Sequence, residues 1–226
     1  KLSFGHYMIL ANLGAVIFEK LGIDRFEADA EKAVDIALNR FYNPSFGVLF
    51  ENINADSSFD LDSSAGRHLN PGHGLEALWF IMEYGQRKSR EDIVRKAAKI
   101  VKSTIEFAWD KQHGGIFYFM DALGRPNPEL QWDMKLWWPH CEALIALLMA
   151  YKLTGDKELF DWFLQVHDWT WSHFPDPDHG EWFAYLNRRG EPTSTLKSGK
   201  WKCFFHLPRM LLACSKMLDE IETKGV

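Results

Sequence analysis

Nothing in the 226 residues approaches the ~18 consecutive apolar positions of a membrane-spanning helix, because Glu, Lys and Asp interrupt every hydrophobic segment, and a membrane span is excluded. Cysteine is scarce and odd in number. Cys141, Cys203 and Cys214 show neither CxxC nor zinc-finger spacing, so no disulfide framework or structural metal is implied, and they read as reduced thiols of a cytoplasmic protein. Positive charge is also short. The 26 Lys and Arg are outnumbered by 31 Asp and Glu, a net charge of -5, which leaves no basic field for a phosphate backbone and sets nucleic acid aside as a partner. The chain opens Lys1-Leu2-Ser3-Phe4-Gly5-His6, without an initiator Met or the zones of a signal peptide, and is expected to be cut from something longer.

Apolar material is plentiful: 46% hydrophobic and 15% aromatic residues suit one sizeable core, and residues 1–226 read as a single domain. Three segments share one pattern, namely Asn43-Pro44-Ser45-Phe46-Gly47-Val48-Leu49-Phe50, Asp110-Lys111-Gln112-His113-Gly114-Gly115-Ile116-Phe117 and Asp176-Pro177-Asp178-His179-Gly180-Glu181-Trp182-Phe183. Their starts lie 67 and 66 residues apart. Each predicts a helix end, a tight glycine turn and a short extended aromatic piece, able to form a small hairpin.

Between these turns the pattern is helical. Ala30, Ala33, Val34, Ala37, Leu38 and Phe41, like Ile93, Ala97, Ile100, Ile105 and Ala108, recur at three- and four-residue steps, marking helices with one wet face. Gly74 to Tyr84, Cys141 to Leu153 and Leu207 to Leu218 are instead apolar around most of the circumference, as buried helices are. Seven helices are expected: 6–21, 26–42, 72–87, 90–109, 139–154, 156–174 and 204–223. Alternating buried and amphipathic helices at a fixed period predict an all-α ring of helical hairpins with an inner and an outer layer. Six such pairs would need about 400 residues, so this chain is expected to cover a little more than half of the ring, with amino-terminal helices missing.

The same period selects four histidines. His6, His73, His140 and His206 are separated by 67, 67 and 66 residues, each near the start of an expected inner helix, which predicts that all four face one axial funnel. Shared ancestry of the repeats, with a histidine merely opening each helix, is the plain alternative. Chemistry is favoured by the neighbours: Glu76 three residues after His73, Arg209 three after His206, and Glu142 two after His140. Histidines, carboxylates and a guanidinium around one funnel suit proton transfer on a polar substrate. A metal site is not expected, since His73-Gly74-Leu75-Glu76 lacks the paired histidines of HExxH sites. Of the nearby aromatics Trp79, Trp132, Trp137, Trp138, Trp182, Trp201, Phe204 and Phe205, most read as core, and Trp138 is assigned to the substrate.

Three longer motifs carry a family resemblance: Asn70-Pro71-Gly72-His73-Gly74-Leu75-Glu76-Ala77, Lys135-Leu136-Trp137-Trp138-Pro139-His140-Cys141-Glu142-Ala143, and Phe205-His206-Leu207-Pro208-Arg209. Together with Gly114-Gly115-Ile116-Phe117-Tyr118-Phe119 and Asp178-His179-Gly180-Glu181-Trp182-Phe183 they resemble the N-acylglucosamine 2-epimerases, in order and over essentially the whole chain. The resemblance implies an (α/α)6 toroid. It implies catalytic roles for His73, His206, Glu76 and Glu142, with Arg209 toward the substrate; the shared register adds His140 and His6 to the expected substrate contacts, beside Trp138. A further arginine of the family lies in an amino-terminal half that this chain lacks.

The implied reaction removes the proton at C2 of a ring-opened sugar or amino sugar and returns one from the opposite face, without a redox cofactor. ATP acts in the family as an allosteric effector, although no GxxxxGK[ST] loop is present here. A homodimer is among the expected states. Three other readings remain open at this point: an aldose-ketose isomerase beginning with the same proton abstraction, an (α/α)6 glycoside hydrolase using Glu76 and Glu142, and a non-catalytic binding domain.

Overall fold

The computed structural model describes residues 1–224. Eight α-helices follow in order: α1 Phe4–Leu21, α2 Asp24–Ile36, α3 Ser64–Arg67 (a single turn), α4 Pro71–Arg87, α5 Glu91–Ala108, α6 Trp137–Thr154, α7 Lys157–His173 and α8 His206–Lys224. Local chemistry sets their ends. Pro71 opens α4 behind Asn70, whose side chain caps the His73 amide, and Asp156 caps α7 through the Glu158 amide. Gly22 and Gly155 close α1 and α6 in the left-handed conformation. The expected helix 26–42 does not run through as one α-helix, because its last turn, Ala37–Phe41, widens into a π-helical turn.

Helices α1, α4, α6 and α8 stand side by side as successive inner helices, while α2, α5 and α7 each pack behind the inner helix that precedes them. One hydrophobic core runs from Phe4 to Met217. In α4 and α6 nearly every side chain is buried, since each has an inner neighbour on both sides and an outer helix behind. The expectation of an all-round buried helix from Leu207 to Leu218 is corrected. Leu207, Met210, Cys214 and Met217 are buried, but Leu211, Leu212 and Leu218 are exposed, because α8 has an inner neighbour on one side only. At the other end α1 likewise buries Phe4, Met8, Ala11 and Gly14 and exposes Ile9, Leu10, Leu13 and Val16. Among the described residues no helix is long and apolar enough to cross a membrane.

The three glycine turns are copies of one device. In each, an Asn or Asp side chain accepts the amide two residues on (Ser45, Gln112, Asp178), and its carbonyl accepts the amide of the glycine four residues on. Those glycines, Gly47, Gly114 and Gly180, have φ of 72°, 72° and 68°, which a Cβ would oppose. The chain then returns antiparallel, pairing Tyr42 with Leu49, Trp109 with Ile116 and Pro175 with Trp182, so the expected hairpins are present but very short. A second set of two-residue ladders joins the starts of α1, α4 and α6 to the stretch beyond the following turn: Leu2–Ser3 with Asn52–Ile53, His68–Leu69 with Met120–Asp121, and Lys135–Leu136 with Tyr185–Leu186. Both sets lie at the end of the molecule where the inner helices begin.

Candidate functional site

His73 stands in the first turn of α4, Trp138 in the first turn of α6, and His206 begins α8. The Trp138 ring centroid is 5.5 Å from each of the two imidazoles, so the histidines are at most twice that distance apart. Gly72 makes the seat for this indole, since a Cβ there would come within 2.5 Å of the Trp138 ring.

Both imidazoles offer Nδ1 to a carboxylate. His73 Nδ1 is 3.0 Å from Glu51 Oε1, and His206 Nδ1 is 2.7 Å from Glu142 Oε1. A proton on Nδ1 satisfies each carboxylate and leaves the Nε2 lone pair to face a ligand, the tautomer a proton acceptor needs. Among the described residues neither Nε2 has a protein partner. Burial works against a charge on His73, but the Glu51 carboxylate, through its charge and its hydrogen bond, and Glu76 beyond it raise its pKa.

On the His206 side the charges form a closed set. Arg209 Nη2 is 2.5 Å from Glu76 Oε1 and 2.7 Å from Glu142 Oε1, and Trp79 Nε1 donates to Glu142 Oε2 at 2.7 Å. The guanidinium is packed against the rings of Phe205 and Trp79, 4.3 and 5.0 Å from their centroids. Burial and the neighbouring Glu142 charge raise the Glu76 pKa against the pull of Arg209. Burial opposes the charge on Arg209, yet Glu142 and Glu76 raise its pKa. Ligand atoms of Glu76, Glu142 and His206 lie within 4.8 Å of one another. Arg209 already supplies the cation at both carboxylates, so a divalent ion would have to displace it.

His73, His206, Glu76, Glu142, Arg209 and Trp138 are therefore brought together. Two others are not. His140 has no exposed surface. Its Nδ1 donates to the Leu136 carbonyl at 2.7 Å, its Nε2 accepts the Ile116 amide at 3.0 Å, and its ring stacks on Trp169 at 4.9 Å. Burial drives its pKa down to about 3. The expectation that His140 meets a substrate is corrected: both ring nitrogens are engaged in holding the second glycine turn against α6. His6 lies in the first turn of α1, in register and exposed, and among the described residues no contact joins it to the cluster. With His140 in the core, the expectation of four histidines in one cleft is corrected.

Glu51 escaped the sequence reading, since it is not on an inner helix. Its signal lay in the turn register, one residue beyond the first aromatic strand, where the next repeat has Tyr118, whose ring lies 6.1 Å from Trp138. Trp79, read as core, is buried and also holds Glu142.

Comparison with known proteins bears on the family and the fold. The model of the N-acylglucosamine 2-epimerase (GlcNAc 2-epimerase) family matches residues 6–209. The N-acylglucosamine 2-epimerase of Bos taurus is 45% identical over 178 residues, covering 77% of this chain and 41% of that protein, so the match spans well under half of the relative's length. Among solved structures, a D-mannose isomerase superposes with a TM-score of 0.79 at 20% identity, over 96% of this chain and 55% of the other. The cellobiose 2-epimerase of Bacillus thermoamylovorans B4167 gives 0.79 at 18% identity, over 94% and 53%. At such identities these two speak for the fold alone, and the arc of inner and outer helices is a little more than half of their (α/α)6 toroid. With the family model spanning nearly every helix and the site assembled from the motifs that it matches, the chain belongs to the N-acylglucosamine 2-epimerase family.

Proposed function

We propose that this chain carries the proton-transfer half of a sugar 2-epimerase that interconverts N-acyl-D-glucosamine and N-acyl-D-mannosamine. The observation that carries the reading is the pair His73 and His206, each backed by a carboxylate at Nδ1 and each 5.5 Å from the ring of Trp138. One imidazole takes the proton from C2 of the ring-opened sugar, the electron pair moves into the C1 carbonyl, and the other imidazole, protonated, returns a proton to the opposite face. Each carboxylate steadies the imidazolium that forms beside it. Arg209 offers positive charge where the enolate develops, and the Trp138 ring offers a flat apolar surface for a sugar C–H face. The step balances without a redox cofactor. The glycosidase alternative is disfavoured because Glu76 and Glu142 are spent on one guanidinium nitrogen.

The test is incubation with N-acetylmannosamine in deuterated water, with the sugar followed by NMR. Deuterium at C2 with appearance of the epimer is expected. Deuterium at C1 of a ketose formed from D-mannose in a parallel incubation, with the amino sugar unlabelled, would make the protein an aldose-ketose isomerase, and no label in either sugar would sink the proton-transfer reading.

A further inference from the structure

Two places in the repeat can send a carboxylate to an inner-helix histidine. The first is the residue 22 positions before the histidine, just beyond the glycine turn: Glu51 before His73, Tyr118 before His140 and Ala184 before His206. The second is the residue two positions after the preceding histidine, one inner helix back: Met8, Leu75 and Glu142 for the same three. His73 is served from the first place and His206 from the second. His140 has Tyr118 and Leu75, no carboxylate at either, and its ring is turned into the core. Within this fold the histidines that face the site are those with a carboxylate in one of two interchangeable positions.

We propose that Glu51 is the positioning residue of His73, fixing its tautomer and basicity from the turn layer, the counterpart of Glu142, which bonds His206 from the inner helix. The inference deepens the proton-transfer reading above and rests on it for its catalytic consequence. The backbone around Glu51 is built to hold it. The Phe50 amide donates to the Phe41 carbonyl, the Glu51 carbonyl accepts the Phe4 amide, and Asn52 pairs with Ser3 in the ladder that ties the turn to α1. The carboxylate is thereby anchored on both sides, with 12% of its side chain exposed against 33% for His73. The other titratable groups facing His73 are Glu76 on its own helix and His68 from the strand before it, while Trp138 covers one face. Glu76 is committed to Arg209, so Glu51 is the carboxylate that His73 has to itself.

The experiment is NMR titration of the His73 imidazole in the 226-residue chain, native and Glu51→Gln, with C2 exchange kinetics over pH alongside. In Glu51→Gln, His73 is expected to titrate lower by about one unit, and the fixed Nδ1–H tautomer is expected to give way to a mixture. kcat should fall ~10- to 100-fold with KM nearly unchanged, and the acid limb of the rate profile should move to lower pH. Glu51→Asp, which keeps the charge, should lie between the two and stands in for Glu51→Gln should that variant not fold. An unshifted His73 titration, or a rate loss without movement of the acid limb, overturns the proposal. A native protein inert toward C2 would instead sink the epimerase reading, while the titration would still decide whether Glu51 governs His73.

Discussion

His73 and His206 are chemically alike yet held differently, and substitution should expose them as a pair. Each is partly exposed and touches the core chiefly through Trp138 and a carboxylate. His73→Ala or His206→Ala should lower turnover by at least ~100-fold, while urea unfolding midpoints change little, the usual mark of a lost general acid or base. His140 should behave in the opposite way. Its pKa is about 3 when folded, against an ordinary value near 6.5 unfolded, so between these the unfolded chain binds the extra proton. The stability from this residue is complete above about pH 6.5 and is lost as pH falls toward 3. Unfolding free energy should drop by about 2 kcal/mol between pH 7 and pH 5 from this group alone, and His140→Gln should flatten that slope. The period made the four histidines legible, but a period fixes where a Cα lies and not which way a side chain turns. The neighbours at the two carboxylate positions separate His140 from His73, and they are visible only once the turn and helix registers are laid side by side.

The helices were readable nearly to their ends because caps and apolar stripes are local. For the seven expected helices the boundaries differ by two residues at most except where the π-helical turn replaces the end of α2, while the single turn α3 was not expected. The two-residue ladders left no pattern to read, since partners about fifty positions apart share no periodicity. The turns show how similar elements come to differ in energetic weight. Asp110 is buried and accepts from Lys135 and Arg188, with Lys135 itself fully buried over the Phe117 ring, whereas Asn43 at the same place in the first turn serves backbone amides. Asp110→Ala should therefore cost about 3–5 kcal/mol by stranding a buried ammonium, and Asn43→Ala nearer ~1 kcal/mol, as urea unfolding would show. On α4 the seat at Gly72 makes a third comparison. Gly72→Ala has to push the Trp138 ring aside, and C2 exchange should fall well beyond what a cost of ~1–3 kcal/mol in stability would suggest.

At the scale of the molecule the arc ends in two bare apolar faces, Ile9, Leu10, Leu13 and Val16 on α1 and Leu211, Leu212 and Leu218 on α8. Faces of this kind associate. Light scattering of the chain should give an average mass that rises with concentration above 26.2 kDa, and Leu13→Lys with Leu212→Lys should return it to one chain. The ladders carry a further consequence. Because they close each helical pair on itself and leave successive pairs joined by the packing of neighbouring inner helices, the molecule should open from its ends, as a zip does, rather than melt everywhere at once. Amide protons of α4 and α6 should then be the last to exchange, and those of α8 among the first. His206 and Arg209 ride on that terminal helix while His73 sits on the slowest one, so gentle warming should silence the chemistry by undocking a single helix, with most of the helical signal still in place.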